Sequence, residues 1–84
     1  MKKVKTKVEI IESNWNTGAK EFSNLLFNEN KWIEKIKAHQ YGAETSFVIK
    51  FTENCSKENA RDIIFTCLKN VKAEFVYSVK FYGG

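Results

Sequence analysis

Apolar and polar residues alternate in three separate segments of the chain. In the clearest segment, Phe47, Ile49 and Phe51 fall on one side and the residues between them on the other. Alternation with a period of two is typical of a strand that buries one face. The sequence therefore predicts three such strands, over residues 3–12, 45–52 and 74–82.

Two further segments carry apolar residues at helical spacing. The first has Ala19, Phe22, Leu25 and Leu26 on one face, and its helix is expected to begin after a cap at Asn16 or Thr17 and to end near residue 28. The second helix is expected after a cap at Asn54 or Ser56. Its apolar positions follow the 3, 1, 3, 1, 3 spacing of one buried stripe, namely Ala60, Ile63, Ile64, Cys67, Leu68 and Val71.

Residues 29–41 are compatible with either kind of element. The apolar spacing of the first helix continues to Ile36, but Trp32 and Ile36 also share one strand parity. A polar cluster before Trp32 indicates the end of a helix, and Gly42 is well placed for a hairpin turn. We favour a strand from Trp32 to Gln40.

The order of elements then becomes β-α-β-β-α-β within one domain over residues 1–84. This order is the split βαβ pattern of ferredoxin-like α+β domains, in which two helices cover one face of a four-stranded antiparallel sheet. The alternative is a three-stranded β-α-β-α-β architecture, which would follow if residues 18–38 formed one long helix.

In the four-stranded arrangement, lysines collect on the sheet face opposite the helices. Glu9 is the one acid expected beside them. A lysine-rich face attracts polyanions, because neutralising phosphates releases condensed counterions. The competing interpretation is that strand positions facing solvent need polar residues and that lysine discourages edge pairing. The expected members are Lys5, Lys7, Lys50 and Lys80, with Lys35, Lys37 and His39 added by the second strand.

The overall charge also favours an anionic partner. The chain has 14 Lys and Arg against 10 Asp and Glu, and a pI of about 9.1. Its basic residues are almost all lysine, which contacts phosphate as a point charge and reads base edges less well than arginine. We therefore expect a binding module for a nucleic-acid backbone or an acidic protein surface, with little sequence readout.

Aromatic residues outside the predicted core suggest a second function. Trp15 lies in a loop, and Phe27 and Phe65 lie beside the apolar faces of their helices. Aromatic side chains are enriched among interface hot spots. They would suit a small inhibitor or adaptor, of the type encoded by phages and mobile elements, that binds and blocks a larger host or defence protein. The same residues would suit a homodimer.

Catalytic and metal chemistry have little support. The chain holds one His, one Asp and one Arg, so we expect no enzyme, no cofactor and no metal site. Cys55 and Cys67 lack a CxxC spacing, and Cys67 falls on the buried stripe of the second helix. No signal peptide or membrane span is visible, so we expect a cytoplasmic protein that does not bind membranes.

Overall fold

A computed structural model describes residues 3–12, 17–29 and 31–83. It confirms the ferredoxin-like order and rules out the three-stranded alternative, because the ambiguous segment forms a strand. The elements are β1 (Lys5–Ile11), α1 (Thr17–Phe27), β2 (Ile33–Tyr41), β3 (Glu44–Phe51), α2 (Lys57–Asn70) and β4 (Val76–Tyr82).

The four strands form one sheet in the order β2-β3-β1-β4, and every neighbouring pair is antiparallel. Both helices pack on the same face of this sheet. Phe22 of α1 meets Phe47 of β3 edge-on, with 5.2 Å between ring centres, and Phe65 of α2 lies 6.3 Å from Phe81 of β4. The other face of the sheet carries no helix.

Strand β2 is held by a short hairpin to β3. Its last residue pairs with the first residue of β3, and Gly42 in the two-residue connection has a φ of 58°, which glycine adopts without steric cost. A β-bulge lies between Ile33 and Lys35, so that Glu34 is left outside the regular pairing. Pairing with β3 thus decides between the two conformations that the sequence allowed.

The core follows the predicted alternation in β1 and β3 and most of the predicted stripe of α2, whereas Val79 and Phe81 of β4 are only half-buried and Tyr77 is 47% exposed. Fully buried residues include Val8, Phe47 and Ile49 from the central strands and Phe22 and Ile64 from the helices. The two cysteines, Cys55 and Cys67, are also buried as free thiols. Burial raises the pKa of the Cys67 thiol to about 11, with a smaller contribution from Glu29, so this thiol is suited to packing rather than to nucleophilic chemistry.

The structure confirms the predicted cap of α2, whereas one of the two cap candidates of α1 lies outside the described residues. Ser56 caps α2, and its hydroxyl accepts from the Asn59 N–H at 3.1 Å. For α1, Asn16 lies outside the described residues, and the predicted cap Thr17 is the first residue of the helix. The carboxylate of Glu12 accepts from N–H groups in the first turn of α1.

Glu12 lies directly after β1 and is only 5% exposed. Its two carboxylate oxygens accept from the backbone N–H groups of Gly18 at 2.7 Å and of Ala19 at 3.0 Å. A carboxylate at a helix N-terminus satisfies otherwise unpaired donors and interacts favourably with the helix dipole. A Cβ atom at position 18 would lie 3.0 Å from the carboxylate, so glycine leaves room for this contact.

Glu12→Ala should destabilise the protein, because it leaves two buried N–H groups of α1 without an acceptor. We expect a loss of about 1–3 kcal/mol in the free energy of unfolding, measured by urea denaturation. Glu12→Gln keeps one acceptor oxygen and should lose less. Glu74→Ala, at an exposed loop position, is the control. A Glu12→Ala protein as stable as this control would show that the cap contributes nothing.

Candidate functional site

The sheet face that carries no helix is the candidate site, and we refer to it as the open face. Successive strand residues point to opposite faces, so the residues that alternate with the core define it. In β1 these are Lys5, Lys7, Glu9 and Ile11, since Val8 and Ile10 between them are buried. The register of the other strands then fixes which side chains lie beside them.

Lysines fill one half of the open face, in two adjacent rows that cross all four strands. The first row runs Lys35, Lys50, Lys5, Tyr82, and the second runs Lys37, Val48, Lys7, Lys80. We call these eight residues the basic half. The structure thus brings together all six lysines that the sequence placed on this face.

Three pairs of lysines occupy directly opposed positions on neighbouring strands. They are Lys5 with Lys50, Lys35 with Lys50, and Lys7 with Lys80. Like charges in directly opposed cross-strand positions destabilise a sheet by a few tenths of a kcal/mol or more per pair. An arrangement selected only for stability or solubility would intersperse acids among these positions.

The basic half also contains a shallow depression. It has a volume of about 170 Å³ and is lined by Val48 and four lysines, Lys5, Lys35, Lys37 and Lys50. Val48 is the apolar member of this lining. Four lysines therefore line this recess, and one of them, Lys50, also lies 3.5 Å from a carboxylate oxygen of Glu34.

One carboxylate lies at the rim of the basic half. Glu34, at the bulge in β2, accepts from the Nζ of Lys3 at 2.5 Å and lies 3.5 Å from the Nζ of Lys50. The hydrogen bond from Lys3 lowers the pKa of Glu34, and the same bond raises the pKa of Lys3. Glu34 therefore stays ionised and offsets part of the charge at this rim.

The other half of the open face is mixed in character. Its two rows are His39, Ser46, Glu9, Ser78 and then Tyr41, Glu44, Ile11, Val76. The expectation that Glu9 is the one acid on this face is wrong, because Glu44 lies diagonally next to it and Glu34 approaches the rim. A hydrogen bond shared with Glu9 raises the pKa of Glu44, and the positive charge of Lys7 opposes part of this rise.

The aromatic residues predicted for a protein interface lie apart from one another. Trp15 is outside the described residues. Phe27 is 61% exposed at the end of α1, beside a groove of about 350 Å³ between α1 and β2. Phe65 is 38% exposed, but its ring packs near Phe81. Phe27 is thus the more accessible of the two described residues.

Neither described helix is long and apolar enough to cross a membrane. Within residues 3–12, 17–29 and 31–83, no group of His, Cys, Asp and Glu side chains is arranged to hold a metal ion. His39 stacks on Tyr41, with 6.3 Å between ring centres and 23° between ring planes. The charged open face is therefore the most distinctive chemical feature of the described chain.

No family model matches the chain, and no curated protein gives a match either. Several solved structures share its fold. An uncharacterized protein from Thermotoga maritima matches with a TM-score of 0.62 at 13% identity, covering 99% of this chain and 98% of its own. The ACT domain from GTP pyrophosphokinase of Chlorobium tepidum gives 0.61 at 10% identity, with 98% and 100% covered.

The C-terminal domain of the MgtC protein from Mycobacterium tuberculosis gives a TM-score of 0.60 at 13% identity, covering 98% of this chain and 87% of that domain. At such identities the likeness establishes the fold alone. Function has to be argued from the side chains, because one fold hosts many unrelated sites.

The Glu9–Glu44 contact predicts a pH dependence. Because the pKa of Glu44 is raised above 4.5, its contact with Glu9 stabilises the fold fully below pH 4.5. As the pH rises through the raised pKa, Glu44 loses its proton, the two carboxylates repel each other, and this stabilisation is lost. Glu44→Gln keeps a hydrogen-bond donor for Glu9 and removes the repulsion. We expect its melting temperature to exceed that of the wild type at pH 7 but not at pH 4, whereas Glu74→Gln should show no such difference. If Glu44→Gln changed the melting temperature equally at pH 4 and pH 7, this result would contradict a proton shared between Glu9 and Glu44.

Proposed function

We propose that this protein is a non-enzymatic binding module that docks a nucleic-acid backbone on the basic half of its open face. The observation that carries this proposal is the set of three directly opposed lysine pairs. Each pair costs stability in the free protein, and a bound polyanion would convert that repulsion into attraction. Within the described residues, Glu34 offsets part of the charge at the rim, and Glu44 interacts with Lys7 at the border with the other half.

The spacing of the lysines favours a regular chain of charges as the partner. Lysines on neighbouring strands are about 4.8 Å apart at the backbone, and those two residues apart on one strand are separated by about 6.7 Å. Long, flexible lysine side chains can adjust from these positions to successive phosphates of a polynucleotide. An acidic protein surface rarely presents anionic groups at such regular intervals.

Sequence readout is not expected from this surface. The basic half contains lysine, valine and tyrosine, but none of the Arg, Asn or Gln side chains that form bidentate contacts with base edges. The single arginine, Arg61, belongs to α2 on the opposite side of the sheet. Contacts to phosphates position a nucleic acid without reading it, so the proposed module binds independently of sequence.

Neutralising Lys7 and Lys80 tests this function. The double variant Lys7→Gln/Lys80→Gln should bind labelled single-stranded oligonucleotides more weakly than the wild type in fluorescence anisotropy. The slope of log affinity against log salt should fall by about 0.7 for each lost contact. The variant should fold with a stability close to that of the wild type, because it removes one repulsive lysine pair together with the attraction between Lys7 and Glu44.

The matched control is Lys20→Gln/Lys57→Gln, which removes the same charge from the first turns of the two helices. It should bind almost as the wild type does. If both double variants lose affinity equally, binding follows net charge and the open face has no special role. If the wild type fails to bind at low salt, the nucleic-acid function is excluded.

The exposed side chain of Phe27 favours one second candidate, the inhibitor or adaptor that blocks a larger protein. Phe27 borders a groove that is lined by Ile33, Ile36 and Ala38 and by the polar residues Ser23, Glu34 and Lys35, and aromatic side chains are enriched at the cores of protein interfaces. In this case Phe27→Asp should abolish capture of a target from host extract, and Lys7→Gln/Lys80→Gln should not. The reverse result would exclude this candidate.

A further inference from the structure

The depression above Val48 differs from the rest of the basic half. Its walls are the four lysines Lys5, Lys35, Lys37 and Lys50, which come from three different strands. Lys50 pairs across the sheet with both Lys5 and Lys35, and Lys37 pairs with Val48 itself. Four cationic side chains therefore converge on one recess, whereas Lys7 and Lys80 lie outside its walls.

The size of the depression limits what it can accept. Its volume of about 170 Å³ is below the roughly 300–1,000 Å³ of pockets that enclose a drug-sized molecule. It corresponds to about six water molecules at ~30 Å³ each. One phosphate group with its bridging atoms fits this space, and a whole nucleoside does not.

The charge of the depression selects among phosphate groups. A phosphate within a nucleic-acid backbone carries one negative charge, whereas a terminal phosphate monoester carries about 1.5 to 2 near neutral pH. Four lysines around one recess gain more from the doubly charged group, because each Coulomb interaction scales with the charge of the ligand. Three oxygens of the monoester are also free to accept hydrogen bonds from different ammonium groups.

We infer that the depression over Val48 is a subsite for the terminal phosphate monoester of a polynucleotide. This inference rests on the proposed function and specifies which part of the nucleic acid the face binds most tightly. With the end of the chain held there, the adjoining backbone continues along the second row, over Lys7 and towards Lys80. Tyr82, beside Lys5 in the first row, borders the same path.

The test compares oligonucleotides of one sequence that carry a 5′-phosphate, a 3′-phosphate or no terminal phosphate. Binding to the wild type is measured by fluorescence anisotropy at fixed salt, with the label on the end that carries no phosphate. We expect at least fivefold tighter binding for one phosphorylated form than for the unphosphorylated form. Excess inorganic tripolyphosphate should compete away this preference.

Two matched double variants separate the subsite from the rest of the face. Lys35→Gln/Lys37→Gln removes two walls of the depression and should abolish the preference. Lys7→Gln/Lys80→Gln removes the same charge outside the depression and should weaken all three oligonucleotides while retaining the preference. Val48→Phe fills the recess without changing charge and should also abolish the preference, with circular dichroism confirming its fold.

The outcomes distinguish this inference from the proposed function. Salt-sensitive binding with no preference for either phosphorylated end overturns the subsite and leaves the binding module in place. Absence of binding by all three oligonucleotides overturns both. In another outcome, the wild type shows no preference for a phosphorylated end while tripolyphosphate still displaces the oligonucleotides. That result assigns the depression to free polyphosphate and contradicts binding of a polynucleotide terminus there. A preference that survives in Lys35→Gln/Lys37→Gln overturns the placement over Val48.

Discussion

Burial of alternate strand residues under the two helices fixes the surface chemistry of this protein. Val8, Phe47 and Val79 lie side by side across three strands and face the helices. A slip of one residue in any strand would expose its apolar residues and bury lysines, so the register is strongly specified. The lysines of the open face are therefore held in their rows by packing on the other side of the sheet.

The same constraint explains why the sheet tolerates repulsion between its lysines. Each opposed pair faces solvent, where water and salt screen the interaction, and its cost is small beside that of exposing Phe47. The ion pairs that Glu34 makes with Lys3 and Lys50 are surface contacts of modest value. Stability thus comes from the buried face, which leaves the composition of the open face to be set by other demands.

Alternation in the sequence was sufficient to predict three of the four strands and the parity of their lysines. It predicted that Lys50 and Lys80 share a face, because Ile49 and Val79 had to be buried. It could not decide between strand and helix for residues 29–41, where the apolar spacing fits both, and pairing with β3 supplied the missing information.

Features created by contacts between distant segments were not predictable from local pattern. Glu12 accepts from the N–H of Gly18 in the first turn of α1 although it lies six residues earlier in the chain, and sequence rules for helix caps do not search at that distance. The bulge that brings Glu34 to Lys50 and the register that brings Glu44 to Glu9 also depend on strand pairing. For these contacts of Glu12, Glu34 and Glu44, the sequence provides no more than the number of residues between the elements.

In the proposed function, the division of the open face into two halves would give a bound polyanion a direction. Glu9 and Glu44 lie in the rows beyond the lysines, where their negative charge repels a phosphate backbone. A chain lying along the strands would cross from the lysines onto these carboxylates. A chain lying across the strands stays within the two lysine rows from Lys37 to Lys80. Electrostatics therefore favours a path perpendicular to the strands.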